Sequence, residues 1–101
     1  MIEKTYLKTK PQCKVKFMLP ASEYKNAKSI AVVGDFNQWD KQANLMKKQR
    51  SGFFASTLNL DVQTSYQFRY LIDGEEWCND EMADDHTPSP IGPDANSVLH
   101  L

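Results

Sequence analysis

Seven consecutive residues, Cys13-Lys14-Val15-Lys16-Phe17-Met18-Leu19, alternate with period two. Cys13, Val15, Phe17 and Leu19 therefore share one face and Lys14 and Lys16 the other, which predicts a half-buried strand ended by Pro20. After a polar connection over 21–28, the run Ile30-Ala31-Val32-Val33 is apolar at every position. That predicts a strand buried on both faces. Residues 40–44 read as a charged turn, and Leu45 to Arg50 as a short edge strand with its lysines in solvent. Ser51-Gly52 is a hairpin turn into the strand Phe53 to Leu60, in which Phe54, Leu58 and Leu60 have the same parity. From Ser65 another strand sets Tyr66, Phe68, Tyr70 and Ile72 on one face against Gln67, Arg69 and Leu71 on the other. Asp73-Gly74 closes it as a tight turn, and Trp77 lies on the return strand. No strand pattern survives from Asn79 to Asn96, where Pro88, Pro90, Gly92 and Pro93 argue for an ordered but irregular loop. Ser97 to Leu101 returns as a final strand tied into a sheet. No segment has helical periodicity with caps.

Short strands separated by turn signals, with inward aromatic and aliphatic residues, predict an all-β fold, an antiparallel β-sandwich of immunoglobulin-like type. The length of 101 residues fits one domain over 1–101 with a single core. With 41% hydrophobic and 25% charged residues and a formal net charge of -1, the chain has no basic surplus to attract a polyanion. Nucleic acid and anionic membranes are thus not expected partners. No apolar stretch approaches bilayer-spanning length, and the opening Met1-Ile2-Glu3-Lys4-Thr5-Tyr6-Leu7-Lys8 lacks the apolar centre of a signal peptide, so a cytoplasmic location is expected. Cys13 alternates in phase with buried positions and Cys78 follows Trp77 near a polar loop; both read as free thiols.

The residues that can carry chemistry are few. Gly34-Asp35-Phe36-Asn37-Gln38-Trp39 directly follows the buried strand and places an indole just past its end. There Trp39 is either a stacking platform for a flat apolar ligand face such as a glucose ring or a lid on the core. The acidic residues Asp73, Glu75, Glu76, Asp80, Glu81, Asp84 and Asp85 lack the spacing of a calcium loop and read as a solvated rim, so no metal site is expected. His86 and His100 are far apart and read as a surface and a half-buried histidine. No serine or cysteine sits in a nucleophile motif, no phosphate-cradling glycine loop is present, and neither catalytic residues nor a cofactor are expected.

Three segments occur in the order and rough spacing of a known group: Gly34 to Trp39, then Tyr66-Gln67-Phe68-Arg69-Tyr70-Leu71-Ile72-Asp73-Gly74 with Trp77, then Asn96-Ser97-Val98. On them the chain resembles the glycogen-binding and isoamylase N-terminal (early set, E-set) carbohydrate-binding modules of the family 48 type. Over its full length it is similar to the short stand-alone bacterial members. The resemblance implies an immunoglobulin-like sandwich that is not itself catalytic and takes α-1,4-glucan, an oligosaccharide or a polysaccharide such as glycogen, starch or maltodextrin. It also implies four carbohydrate-binding residues. Trp39 and Trp77 stack on glucose rings, while Arg69 and Asn96 hydrogen-bond hydroxyls, types suited to the task because a guanidinium donates in a fork and an amide both donates and accepts. Two departures from the kinase module of the group stand out: Arg69 occupies a place where it usually has lysine, and Gly92 and Asp94 fall near the places of its leucine and threonine.

Two functions follow as expectations. The first is a non-catalytic α-glucan-binding module, monomeric or weakly dimeric, that works beside a glycogen-metabolising enzyme. The alternative is a structural or protein-interaction sandwich that has lost sugar binding and partners an enzyme. Read from its residues alone, Arg69 is a solvated side chain paired with Asp73 or Glu75, and Asn96 a simple turn or strand-cap residue.

Overall fold

The computed structural model describes residues 1–89 and 95–101. Nine strands form among them: β1 (Ile2–Tyr6), β2 (Gln12–Pro20), β3 (Ile30–Gly34), β4 (Lys47–Lys48), β5 (Phe53–Asp61), β6 (Ser65–Ile72), β7 (Glu76–Cys78), β8 (Asp85–Pro88) and β9 (Ala95–His100). All pairings are antiparallel. One sheet has the order β1-β2-β5-β4 and the other β3-β6-β9-β8, with β7 also paired to β6. The two sheets form the immunoglobulin-like sandwich that the alternation predicts.

Cys13, Val15, Phe17 and Leu19 of β2 are buried, as their parity requires, and meet Phe68, Tyr70 and Ile72 of β6 across the sandwich in one core. Phe17 and Phe68 pack edge to face with ring centres 5.2 Å apart. That geometry suits the aromatic quadrupole and adds to the burial. β3 is buried along its whole length: Ile30 and Val32 enter the main core, while Ala31 and Val33 form a second, smaller cluster with Leu71 on the opposite face.

β6 is the strand on which the second sheet depends. It pairs with β3 through Phe68–Ile72 on one side, and on its other side with β9 through Ser65–Phe68 and then with β7 through Tyr70–Ile72. The β6–β7 turn is made by Asp73 and Gly74, both with positive φ (53° and 71°), and is closed by the bond from Glu75 N to Ile72 O (3.1 Å). Two successive left-handed residues give a hairpin turn whose twist matches the strands, which is why glycine follows aspartate here.

Several expectations need correction. The segment after Asn79 is not wholly irregular, because Asp85–Pro88 forms β8 and β9 begins at Ala95. β8 carries only polar side chains and proline, so backbone pairing with β9 holds it without any hydrophobic alternation. The edge strand expected over 45–50 is divided. Asn44 and Met46 bond to β3 through Val32 N–Asn44 O (3.0 Å) and Met46 N–Ile30 O (2.7 Å), whereas only Lys47–Lys48 pair with β5. The N-terminal residues, read only for a leader, form β1 against β2. Lys4 ties that strand to the other sheet, donating to Asp84 (2.6 Å) and to His100 O (3.1 Å).

Asp80 is not part of a solvated rim. It is buried at 3% exposure, and its carboxylate accepts from the Tyr70 hydroxyl (2.7 Å), the Met1 ammonium (2.7 Å) and Met82 N (2.8 Å). A buried carboxylate is tolerable only with such partners. His100 is exposed rather than half-buried. Cys13 and Cys78 are free thiols, as expected.

Candidate functional site

The segment that follows β3 sets the site, and each of its residues has a physical task. Gly34 comes so close to β6 that a Cβ there would sit 2.4 Å from Gln67 O and 2.7 Å from Phe68 Cβ, so only glycine fits. Asp35 extends the ladder where the backbone leaves it, its Oδ2 accepting from Gln67 N at 2.8 Å. Phe36 turns inward against Phe17, with ring centres 5.5 Å apart. Asn37 is buried and bonded at both ends of its amide. Its Oδ1 accepts from Gly34 N (3.1 Å), and its Nδ2 donates to Val32 O (3.1 Å) and Asn44 Oδ1 (2.7 Å). Gln38 and Trp39 follow in the left-handed region (φ 55° and 56°), with Trp39 N bonded back to Gly34 O at 2.9 Å.

This tight turn folds the Trp39 indole back onto the outer face of the second sheet. There it is half-buried against the cluster of Ala31, Val33 and Leu71, and its Nε1 donates to Asp35 Oδ1 at 3.0 Å. Trp77 projects from β7 opposite Leu71 and is 38% exposed. The two indoles have centres 6.4 Å apart and planes inclined at 58°. The Lys41 ammonium lies 5.9 Å from the centre of the Trp77 ring, on the edge of cation–π range.

Arg69 stands opposite Val33 in the β3–β6 register, two residues before Leu71 on the same face of β6. Its Nε donates to Asn96 Oδ1 at 2.6 Å, and Asn96 Nδ2 donates to Gln67 Oε1 at 2.9 Å. A guanidinium only donates, so the Asn96 amide is oriented unambiguously. Asp73 is engaged elsewhere, its Oδ1 accepting from Lys28 N (2.6 Å) and Ser29 N (3.0 Å). The arginine's Nε thus meets an amide, while Asp73 is held by the backbone leading into β3. Asn96 is 5% exposed and tied into this bonded row rather than serving as a strand cap.

Trp39, Arg69, Trp77 and Asn96 are therefore brought to one outer face of the second sheet, around a floor of Val33 and Leu71. Gln67 and Asp35 belong to the same bonded constellation. Gln67 shares the outward parity of Arg69, and Asp35 lies four residues before the indole it holds, so both had a signal in the sequence. Gly92 and Asp94 lie outside the described residues.

The titratable groups suggest structural roles. Burial pushes the Cys78 thiol up, making it a poor nucleophile, and burial together with the Cys78 contact pushes Tyr24 up to about 12. Tyr70 is raised well above its ordinary value by burial beside Asp80. The backbone N–H groups of Ser29 and Lys28 lower Asp73. Burial works to raise Asp84, but its bonds with Lys4 and His100 N outweigh it and leave the group lowered. Ser65 Oγ lies 2.7 Å from His100 Nδ1, yet Asp85 is 3.9 Å from the other ring nitrogen, beyond a hydrogen bond, and all three are exposed. Among the described residues no group of three or more His, Cys, Asp or Glu is arranged to hold a metal, and no helix is long and apolar enough to cross a membrane.

Residues 10–89 match the family described as the glycogen recognition site of AMP-activated protein kinase. The chain belongs to this family of carbohydrate-binding modules. The matched region runs from just before β2 to just past β8 and contains Trp39, Arg69 and Trp77, while Asn96 follows it on β9. No curated protein matches the module significantly. Its membership fits the observed sandwich, and the family is in general a binding module without catalysis.

Proposed function

We propose that the chain is a non-catalytic module, one domain over 1–101, that binds α-1,4-glucan through Trp39 and Trp77 as stacking platforms and through Arg69 and Asn96 as hydrogen-bonding partners. The observation that carries this reading is the pair of indoles, 6.4 Å apart and inclined at 58°, beside Arg69 in a member of the glycogen-recognition family. Coplanar rings suit a flat ribbon such as a β-1,4-glucan. Two inclined rings suit a chain that curves, as an α-1,4-glucan does, because successive glucose faces turn away from a common plane. Aromatic rings supply this contact with little rotamer entropy to freeze.

A shallow site with two platforms binds in roughly the micromolar to millimolar range. Such affinity suits a cytoplasmic module, monomeric or weakly dimeric, that keeps a glycogen-metabolising enzyme near its polymer. The near-complete burial of Asn96 favours a second reading, a protein-interaction sandwich that no longer takes sugar.

Titration of tryptophan fluorescence with β-cyclodextrin and maltoheptaose, with cellohexaose as the control, separates the two. Saturable change with the α-linked sugars alone supports the glucan module. Its loss in a folded Trp39→Ala variant assigns the indole. Silence up to tens of millimolar, with an enzyme retained on the immobilised protein, supports the interaction domain.

A further inference from the structure

Four hydrogen bonds run in an unbroken row across the outer face. Trp39 Nε1 donates to Asp35 Oδ1 (3.0 Å), and Gln67 N donates to the other oxygen of the same carboxylate (2.8 Å). Asn96 Nδ2 donates to Gln67 Oε1 (2.9 Å), and Arg69 Nε donates to Asn96 Oδ1 (2.6 Å). The row begins at an indole and reaches a guanidinium, and between them lie a carboxylate and two amides. We propose that Asp35 is the positioning residue of this site, fixing the Trp39 indole against the β6 backbone so that the platform is already in its sugar-binding orientation before sugar arrives.

The argument is one of geometry and donor chemistry. A tryptophan at the end of a strand, half-exposed, has several rotamers open to it, and choosing one on binding costs affinity. Trp39 has only one polar atom, an obligate donor, and Asp35 offers it an obligate acceptor. The same carboxylate is anchored by a backbone N–H of the central strand, so the acceptor cannot drift without breaking the end of the β3–β6 ladder. An amide at position 35 cannot do both tasks, because one of its ends would present N–H to a donor. Gln67 and Asn96 continue the same arrangement to Arg69, so the guanidinium is held through an amide whose two ends are both engaged. In this role Asp35 need not touch the sugar.

The inference rests on the glucan reading for its effect on affinity but not for its effect on the indole. Its test is a cycle on the full chain with Asp35→Ala, Trp39→Phe and the pair, titrated with maltoheptaose, with Trp77 fluorescence retained throughout. In the parent protein Asp35→Ala weakens binding roughly 2- to 12-fold, the range for one side chain that must be immobilised on binding. In the Trp39→Phe background, where no indole N–H remains to hold, the same substitution costs less than about 1.5-fold. Equal losses in both backgrounds would overturn the proposal.

Asp35→Asn is the companion variant should the alanine unfold, since its single acceptor can keep the Gln67 N–H. In the ¹H–¹⁵N spectrum without sugar, the Trp39 indole N–H should exchange with water at least about threefold faster in Asp35→Asn than in the parent. An unchanged rate and chemical shift would also overturn it. A parent protein that ignores maltoheptaose, yet loses Trp39 N–H protection in Asp35→Asn, supports the positioning role and removes the glucan reading.

Discussion

Asn37→Asp is the most discriminating perturbation of the turn that carries Trp39, because it changes one atom and almost no volume. The new carboxylate keeps Oδ1 as acceptor for Gly34 N but sets its second oxygen against Val32 O and Asn44 Oδ1, 3.1 and 2.7 Å from the atom it replaces. The bond to Val32 O is lost, the bond to Asn44 survives only by turning that amide to donate, and a charge is placed at a position only 8% exposed. Leaving Val32 O and the new carboxylate oxygen opposed costs about 1–3 kcal/mol before the charge is counted. A buried unpaired charge raises it further. For a domain of this size 1 kcal/mol corresponds to roughly 4–8 °C in Tm, so a drop on the order of 10–25 °C is expected at pH 7.

The sign of the pH dependence follows from the same contacts. Facing acceptors, the new carboxyl has a folded pKa above its unfolded value near ~3.9. The stability conferred by its protonated form is fully present below the unfolded pKa and lost as pH rises through the folded one. Urea unfolding followed by tryptophan fluorescence at pH 7 and about pH 5 should therefore show the difference from the parent protein shrinking on acidification. Asn37→Ala, which has no proton to gain, should show no such recovery. Asn37→Asp as stable as the parent at pH 7, or a deficit that grows on acidification, would refute the reasoning.

Gly34→Ala places a methyl 2.4 Å from Gln67 O and 2.7 Å from Phe68 Cβ, so β3 and β6 must part at their end; a loss of about 1–3 kcal/mol in urea unfolding is expected, with weaker sugar binding in the fraction that remains folded. Tyr70→Phe removes one of three donors to the buried Asp80 carboxylate and should cost about 1.5–3 kcal/mol by the same measurement, with little change in maltoheptaose affinity. Asp73 and Asp84 are both held below the ordinary carboxylate value of 3.8, so the stability they contribute is present above that pH and falls away as pH drops through their folded values. Acid unfolding between about pH 4 and 2 should be shallower in Asp84→Asn than in the parent protein.

Much of the sandwich could be read from alternation. The inward set of β2 and the two opposed sets of β6 were visible because a half-buried strand must segregate its faces, and Ile30 to Val33 because a doubly covered strand cannot. β1 and β8 escaped for the converse reason. Each is held mainly by backbone pairing and by polar ties such as Lys4 to Asp84, which leave no periodic hydrophobic trace. Asp80 was misread because the partners that make its burial tolerable, Tyr70 and the Met1 ammonium, come from distant parts of the chain.

The candidate site was legible as residue types and, through the parity of β6, as a face. What could not be read was how its members are bonded. That Arg69 meets Asn96 depends on β9 lying beside β6, a pairing that the spacing of the two residues does not encode. Asp35 and Asn37 were visible as parts of a motif, but their separate tasks required the turn itself.

The two indoles are moored unequally, and this sets an order in which the face can come apart. Trp39 is bonded through its indole to Asp35, and Asp35 to the strand at the centre of its sheet, so its mooring runs directly to the core. Trp77 sits on a ribbon of three residue pairs beyond a three-residue turn, held further by the chain that follows it. Short edge ribbons open at lower free energy than a core strand. The face that carries the indoles is therefore fixed to the core of its sheet on the Trp39 side, while the Trp77 ribbon is anchored from beyond its end by Asn79 and the buried Asp80. On the proposed glucan reading, a curved polymer lying across both indoles would clamp the Trp77 ribbon to the strand beside it, so binding would stiffen the more loosely held half of the face.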